Sequence, residues 1–69
     1  MTVIIKFKKD DDNGITAAYM LCEFFTQNYP ISVDGSPDWD GSPKITISGE
    51  SVIVNKLADG LCGAGGWRV

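Results

Sequence analysis

A chain of 69 residues has room for one domain with one hydrophobic core, and its hydrophobic fraction of 43% is typical of globular rather than disordered proteins. Nine acidic against six basic residues give a net charge of −3, which argues against direct nucleic-acid binding because that function normally needs a basic face. The chain also lacks histidine, on which much acid–base catalysis at neutral pH depends, so its composition favours a binding protein over an enzyme.

The sequence predicts a cytoplasmic protein without membrane contact. No stretch is apolar for long enough to cross a bilayer, and residues 1–9 mix charged and hydrophobic side chains where a signal peptide has a continuous apolar run. Cys22 and Cys62 lie far apart in the sequence, with no second cysteine nearby and no histidine. In a reducing compartment we expect two partly buried free thiols rather than a disulfide.

The first predicted elements are a strand and a helix. Thr2–Lys8 is rich in β-branched residues and apolar on both faces at its start, which predicts a strand in the centre of a sheet. Gly14–Asn28 places its hydrophobic residues on one half of a helical wheel, as in a helix lying across a sheet. Asn13 or Asp12 is the expected cap of this helix, and Pro30 ends it.

The middle of the chain is predicted to be mostly strand and loop. Ile31–Asp34 is a short strand candidate, and glycines and prolines mark Gly35–Pro43 as a loop. Lys44–Ser48 and Ser51–Asn55 would then form a hairpin around residues 49–50.

The alternative for the third quarter of the chain is one helix over Ser51–Leu61. Its apolar residues also fit a helical stripe, but three consecutive β-branched residues at 52–54 favour the strand, followed by a helical turn near Lys56–Leu61. The glycine-rich segment Gly60–Gly66 would fray unless Trp67 folds back on the core as a short closing strand.

Together these elements predict a single α+β domain over residues 1–69. The sheet is mainly antiparallel with three to four strands, the element order is β-α-β-β-β, and one long helix packs on one face. The other face must be polar, covered by the C-terminal segment, or used for association, for example in a homodimer. The predicted core consists of Val3, Ile5, Phe7, Ala18, Leu21, Cys22, Phe25, Ile45, Ile47 and residues from the 52–54 run.

The loop that holds Asp34, Asp38 and Asp40 is the first candidate functional site. Carboxylates close together among glycines are the ligands of a hard cation such as calcium. The EF-hand spacing does not fit, however, because Ile47 would occupy the last ligand position, where a glutamate is needed. We therefore expect a solvated loop, and no metal or cofactor is predicted.

Trp39 stands between two aspartates of this loop and has two interpretations. It could anchor a basic partner protein, since tryptophan is enriched at binding hot spots and acidic flanks steer basic partners. The preferred alternative is that it folds down over one end of the sheet. The acidic run at residues 10–12 would join the loop in one acidic face if both segments share an end of the sheet. The predicted partner-contact residues are Asp10, Asp11, Asp12, Asp34, Asp38, Trp39 and Asp40.

No catalytic residue is predicted. Cys22 falls on the apolar face of the helix, where no histidine can activate its thiol. The glycine-rich segment Gly60–Gly66 lacks the Lys-Ser/Thr of a phosphate-binding loop, so tight packing and chain termination explain it better.

Three functional hypotheses follow. The first is a non-enzymatic protein-binding module; by analogy with compact acidic proteins of phages and mobile elements, it would inhibit a basic nucleic-acid-handling host protein such as a CRISPR effector. The second is a small-molecule or metal-ion binding protein that uses the Asp34–Gly41 loop or the glycine-rich tail. The third is a structural subunit that assembles through its sheet edge.

Overall fold

The computed structural model describes residues 1–69 and contains four strands and two helices. The strands form one antiparallel sheet in the order β2-β3-β1-β4, so β1 is central, as predicted. The α+β class is confirmed, and the element order β-α-β-β-α-β is that of a split β-α-β arrangement, a fold that by itself implies no function. The elements are β1 (Thr2–Lys6), α1 (Asp12–Asn28), β2 (Ser32–Pro37), β3 (Pro43–Ser48), α2 (Ser51–Gly63) and β4 (Trp67–Arg68).

The predicted hairpin at residues 44–55 is wrong, because its second arm is the start of helix α2. Val54, Leu57, Ala58 and Leu61 follow the i, i+3, i+4, i+7 spacing of a helix face, and all four are fully buried. Burial of this whole stripe outweighs the local β preference of the β-branched run, which is worth at most about 1 kcal/mol per residue. The helical alternative for this segment is therefore correct.

Both helices pack on the same face of the sheet, and the core lies between them and the strands. Of the predicted core, Val3, Leu21 and Phe25 are only partly buried and lie at its border. Leu57, Ala58 and Leu61 are absent from the predicted core, because they lie in the helix that was only the alternative prediction for this segment. The buried hydrophobic residues are Ile5, Phe7, Ala18, Cys22, Ile45, Ile47, Val54, Leu57, Ala58 and Leu61.

Three predicted boundaries need correction. β1 ends at Lys6 rather than at Lys8. β2 continues to Pro37 and pairs with β3 as far as Pro43, so the predicted loop shrinks to residues 38–42. Helix α1 begins at Asp12, and its cap is Asp11 rather than Asn13 or Asp12. The Asp11 carboxylate accepts a hydrogen bond from the Gly14 N–H at 3.1 Å. The helix begins two residues before the apolar pattern that predicted it, because the first residues of the helix, Asp12 and Asn13, are polar.

The glycine-rich segment brings the chain back to the sheet, and Trp67 begins the predicted closing strand, β4, beside β1. The expectation that Trp67 folds back on the core is wrong, because its side chain is 43% exposed and the register places it on the face opposite the helices. A Cβ atom on Gly66 would lie 2.7 Å from Ile5 Cγ2 and 2.9 Å from Phe7 Cζ, so only glycine allows this close approach. On the helix side, Arg68 reaches Asp59 of α2 at 3.1 Å. The segment thus serves tight packing, as expected.

The face of the sheet opposite the helices, which we call the open face, is mainly polar. Of the alternatives that the sequence left for this face, the polar one describes it. Side chains alternate between the two faces of each strand, so the registers place the following residues there: Thr2, Ile4, Lys6, Ser32, Asp34, Ser36, Lys44, Thr46, Ser48 and Trp67. Neither helix is long and apolar enough to cross a membrane.

Candidate functional site

The two acidic segments lie at the same end of the sheet, which the sequence could not establish. The Phe7 N–H donates to the Pro43 carbonyl oxygen at 3.0 Å, and the Lys9 ammonium lies 3.5 Å from the Asp40 carbonyl oxygen. We call this end, residues 7–12 and 38–42, the loop end. It holds all the predicted contact residues except Asp34, which lies in mid-strand on β2, opposite Thr46.

Trp39 is at the tip of the loop end, and 92% of its surface is exposed. The expectation that it folds over the sheet is wrong, because backbone hydrogen bonds fix the β2–β3 loop in a conformation that points the indole away from the sheet. The Asp38 N–H donates to the Ser42 carbonyl at 2.8 Å, and the Gly41 N–H to the Asp38 carbonyl at 2.9 Å. Gly41 has a φ of +84°, as in hairpin loops of three residues closed by a left-handed glycine. This loop turns the indole outward.

The carboxylates beside Trp39 hold the loop in place. Asp38 Oδ2 lies 2.8 Å from Lys6 Nζ, and Asp40 Oδ2 lies 3.8 Å from the same ammonium. Their second oxygens accept backbone hydrogen bonds at 2.9 Å, Asp38 from the Trp39 N–H and Asp40 from the Ser42 N–H. Both carboxylates therefore have a structural role, and Lys6 partly neutralises their charge.

These contacts shift the protonation of the loop. The hydrogen bond from Lys6, followed by that from the Trp39 N–H, lowers the pKa of Asp38. Hydrogen bonds from Ser42 are the main cause of the lowered pKa of Asp40. The hydrogen bond to Asp38 raises the pKa of Lys6. All three shifts favour the charged forms that hold the loop.

We expect a Lys6→Met variant to lose its stability difference from the wild type in acid. An aspartate whose pKa is lower in the folded state contributes stability above its unfolded pKa of about 3.9, and this contribution is lost as the pH falls through the folded value. The melting temperature of the variant should thus lie below that of the wild type at pH 7 and approach it near pH 2. Lys56→Met, which removes an exposed lysine without an ion pair, is the control. An identical pH profile for both variants would contradict the role of Lys6.

The loop end carries mixed charge rather than one acidic face. Lys6, Lys8, Lys9 and Lys44 lie among its carboxylates. Asp11 is used as the helix cap, and Asp38 and Asp40 bind Lys6. The predicted carboxylates without an ion pair or a cap role are Asp10, Asp12 and Asp34.

Chemistry at a metal or a thiol finds no support in the geometry. No three Cys, Asp or Glu side chains lie close enough together to hold a metal ion. Both cysteines are free thiols, Cys22 buried and Cys62 half-buried, as expected. Burial raises the pKa of Cys22, so its thiol stays protonated and unreactive at neutral pH.

A cleft of about 200 Å³ opens between α1 and β2 on the helix side of the sheet. Ile15 and Tyr19 of α1 form one wall, and Gly35 and Pro37 of β2 form the other, with Phe7 among the residues that line it. The cleft exists because Gly35 has no side chain at a strand position that faces the helix. A glycine inside an alternating strand pattern is the sequence signal for such a site.

Comparison with known proteins adds no residue to the candidate site. The candidate site consists of two neighbouring features, the rigid loop that exposes Trp39 and the apolar cleft beside α1. No protein family, curated protein or solved structure gives a significant match to this chain.

Proposed function

We propose that this chain is a non-enzymatic protein-binding module that contacts another protein through the loop end, with Trp39 as its anchor. The observation that carries the proposal is the exposed indole on a loop fixed by hydrogen bonds and ion pairs. Tryptophan is among the residues most enriched at binding hot spots, where it fills a pocket of the partner. Because the indole points away from the hydrophobic core, it contributes little to the stability of the fold.

The rigidity of the loop matters for binding because ordering a flexible segment costs free energy on association. Four backbone N–H groups between Asp38 and Ser42 are already hydrogen-bonded within the loop, and Lys6 fixes both flanking carboxylates. A partner that accepts Trp39 therefore has little of this segment left to order. The arrangement is that of a preorganised anchor.

The charge around Trp39 indicates the chemistry of the partner. Asp10 and Asp12 are exposed and form no ion pair, and the chain as a whole carries a net charge of −3. The net negative charge favours approach of a basic protein surface, and Asp10 and Asp12 are the unpaired carboxylates it would meet at the loop end, where Lys8 and Lys9 offset part of their charge. An inhibitor of a basic nucleic-acid-handling host protein, as in phage-encoded anti-defence or anti-CRISPR proteins, is the narrower form of this proposal and rests on charge and size alone.

The open face of the sheet supports a protein rather than a nucleic acid as the partner. Four-stranded sheets that bind single-stranded RNA stack bases on aromatic side chains of the exposed face. Here the two central strands present Thr2, Ile4 and Lys6, and Lys44, Thr46 and Ser48, so no aromatic residue occupies these positions. Trp67, on the short edge strand, is the aromatic residue of this face.

Affinity capture from a lysate of the natural host tests the proposal. The wild-type chain and a Trp39→Ala variant serve as paired baits at low and at moderate salt. We expect one stoichiometric protein with a basic surface on the wild-type bait, less of it at higher salt, and none on the variant. Equal capture by both baits, or no specific protein on either, would contradict the proposal.

Reversing an exposed charge at the loop end should slow association with the captured partner. For Asp10→Lys we expect a roughly three- to tenfold lower association rate at low salt, with a smaller difference at high salt, because the charge acts by steering. Surface plasmon resonance measures both rates. Glu50→Lys places the same charge change at the opposite end of the sheet and is the control. Equal effects of the two variants would show that only net charge matters.

A further inference from the structure

The outer edge of β2 is free to accept another strand. Hydrogen-bonded pairs alternate along an antiparallel ladder, and the Asp38 N–H donates to the Ser42 carbonyl. The backbone groups of Asp34 therefore point toward β3, as do those of the residues two positions away on either side. Those of Val33 and Gly35 point away from the sheet, where no strand pairs with them. They leave two N–H donors and two carbonyl acceptors along this edge.

The cleft opens beside this edge. Side chains opposite Val33 and Gly35 on an added strand would point to the helix side of the sheet, where the cleft lies. Gly35 contributes no side chain, and a Cβ atom there would touch the Tyr19 ring at 3.9 Å, so a side chain from the added strand would enter the cleft beside Gly35, along that ring. At about 200 Å³ the cleft is smaller than the roughly 300–1,000 Å³ of typical small-molecule sites and suits a single side chain.

A carboxylate lies in the middle of this edge. Asp34 is exposed on the open face, in the middle of β2, and forms no ion pair. Glu23 lies one helical turn after Tyr19, on the same side of α1, and is also exposed. The charged residue that lines the cleft itself is Lys44, so Asp34 is the carboxylate that an added strand would meet on the edge. Charge complementarity at Asp34 favours a basic residue opposite it, and the cleft takes an uncharged apolar side chain.

We propose that the free edge of β2 and the adjacent cleft bind an extended basic segment of a partner protein by strand addition. The segment places an apolar side chain opposite Gly35, in the cleft, and a lysine or arginine opposite Asp34, on the open face. In this mode backbone hydrogen bonds supply affinity, and the pockets for alternate side chains supply specificity. The surface is separate from the Trp39 tip and is tested without it.

A second copy of this chain fits the edge less well. An antiparallel pairing of two β2 strands that uses all four free backbone groups is centred on Asp34. The two Asp34 side chains would then lie directly opposite each other, and like charges in that position destabilise a strand pair. Asp34 thus protects the edge against self-association, as charged residues on edge strands commonly do. A strand with a basic residue opposite Asp34 replaces this repulsion with a favourable charge pair.

Peptide selection against the folded chain tests the inference. A phage-displayed library of linear eight-residue random peptides is panned on the immobilised wild-type protein. We expect enrichment of peptides in which an apolar residue adjoins a lysine or arginine. The affinity of a synthetic copy is then measured for the wild type and for two variants. Gly35→Val fills the cleft, since a Cβ there meets only Tyr19 at 3.9 Å. Asp34→Lys reverses the charge of the edge.

The inference predicts at least a tenfold loss of peptide affinity in both variants, with melting temperatures near that of the wild type. It also predicts slower amide exchange of Val33 and Gly35 in the peptide complex. No enrichment over blank wells, enriched peptides without the basic residue, or full affinity in Gly35→Val would overturn it. Trp39→Ala should bind the peptide normally. A failure of the peptide experiment therefore leaves the proposed role of Trp39 unaffected.

Discussion

Replacing Trp39 with alanine is expected to weaken binding of the captured partner by at least about 2 kcal/mol, or about 30-fold in Kd. The free energy of unfolding should stay within about 0.5 kcal/mol of the wild-type value, because the lost side chain is 92% exposed. The backbone hydrogen bonds of the loop do not involve the indole and remain. Titration calorimetry and urea unfolding measure the two quantities.

Trp67→Ala is the matched control for this prediction. Trp67 is the second tryptophan of the chain and is 43% exposed, but it lies in the edge strand β4 rather than in the loop. We expect it to keep wild-type affinity for the partner. Equal losses in both variants would point to a general effect of exposed aromatic surface, and an unchanged affinity for Trp39→Ala would remove the anchor from the account.

Replacing Phe7 with alanine should come close to unfolding the protein. Phe7 is fully buried where β1 meets the Gly66 segment and the cleft. Truncation of a buried phenylalanine costs about 3–5 kcal/mol, from lost hydrophobic burial and from the cavity that remains. A domain of this length has a total stability of roughly 3–10 kcal/mol. Urea unfolding followed by circular dichroism should show a midpoint at or near zero denaturant.

The same substitution on the surface separates burial from residue type. Phe24 lies on the outer side of α1, is 55% exposed, and contacts the ring of Phe25 edge-on at 6.0 Å. We expect Phe24→Ala to cost about 1 kcal/mol or less. Similar midpoints for the two variants would contradict the position of the core described here.

The first half of the fold was predictable because its local and long-range signals agree. The β-branched run of β1 and the apolar arc of α1 match the elements that form, and Ile5, Phe7, Ala18 and Cys22 are buried as expected. The cap was missed because Asp11, Asp12 and Asn13 are all good caps. Only the position of the Gly14 N–H decides among them.

Helix α2 was missed because two signals in its sequence conflict. The β-branched residues 52–54 favour a strand locally, whereas the stripe ending at Leu61 favours a helix. The helix forms because it buries four side chains on one face against the sheet. This stabilisation comes from tertiary packing, which local residue preferences do not include. Because residues 51–55 were assigned to a strand, the packing of α2 against β1 could not be predicted either.

The candidate site was predictable in its residues but not in its arrangement. Trp39 and the aspartates around it stand out in the sequence. The direction of β1 relative to the β2–β3 hairpin decides that Lys6 meets Asp38 and Asp40, and it follows only from the sheet topology. The exposure of Trp39 depends on the same contacts. Long-range pairing therefore determines which of these residues are free to bind.

Fluorescence of Trp39 in a Trp67→Phe variant tests the central claim most directly, because Trp39 is then the sole tryptophan of the chain. We predict that the free protein emits like tryptophan in water and is readily quenched by acrylamide. Addition of the captured partner should shift the emission to the blue and protect it from quenching. Blue-shifted, protected emission in the free protein, or emission that does not change in the complex, would contradict the account.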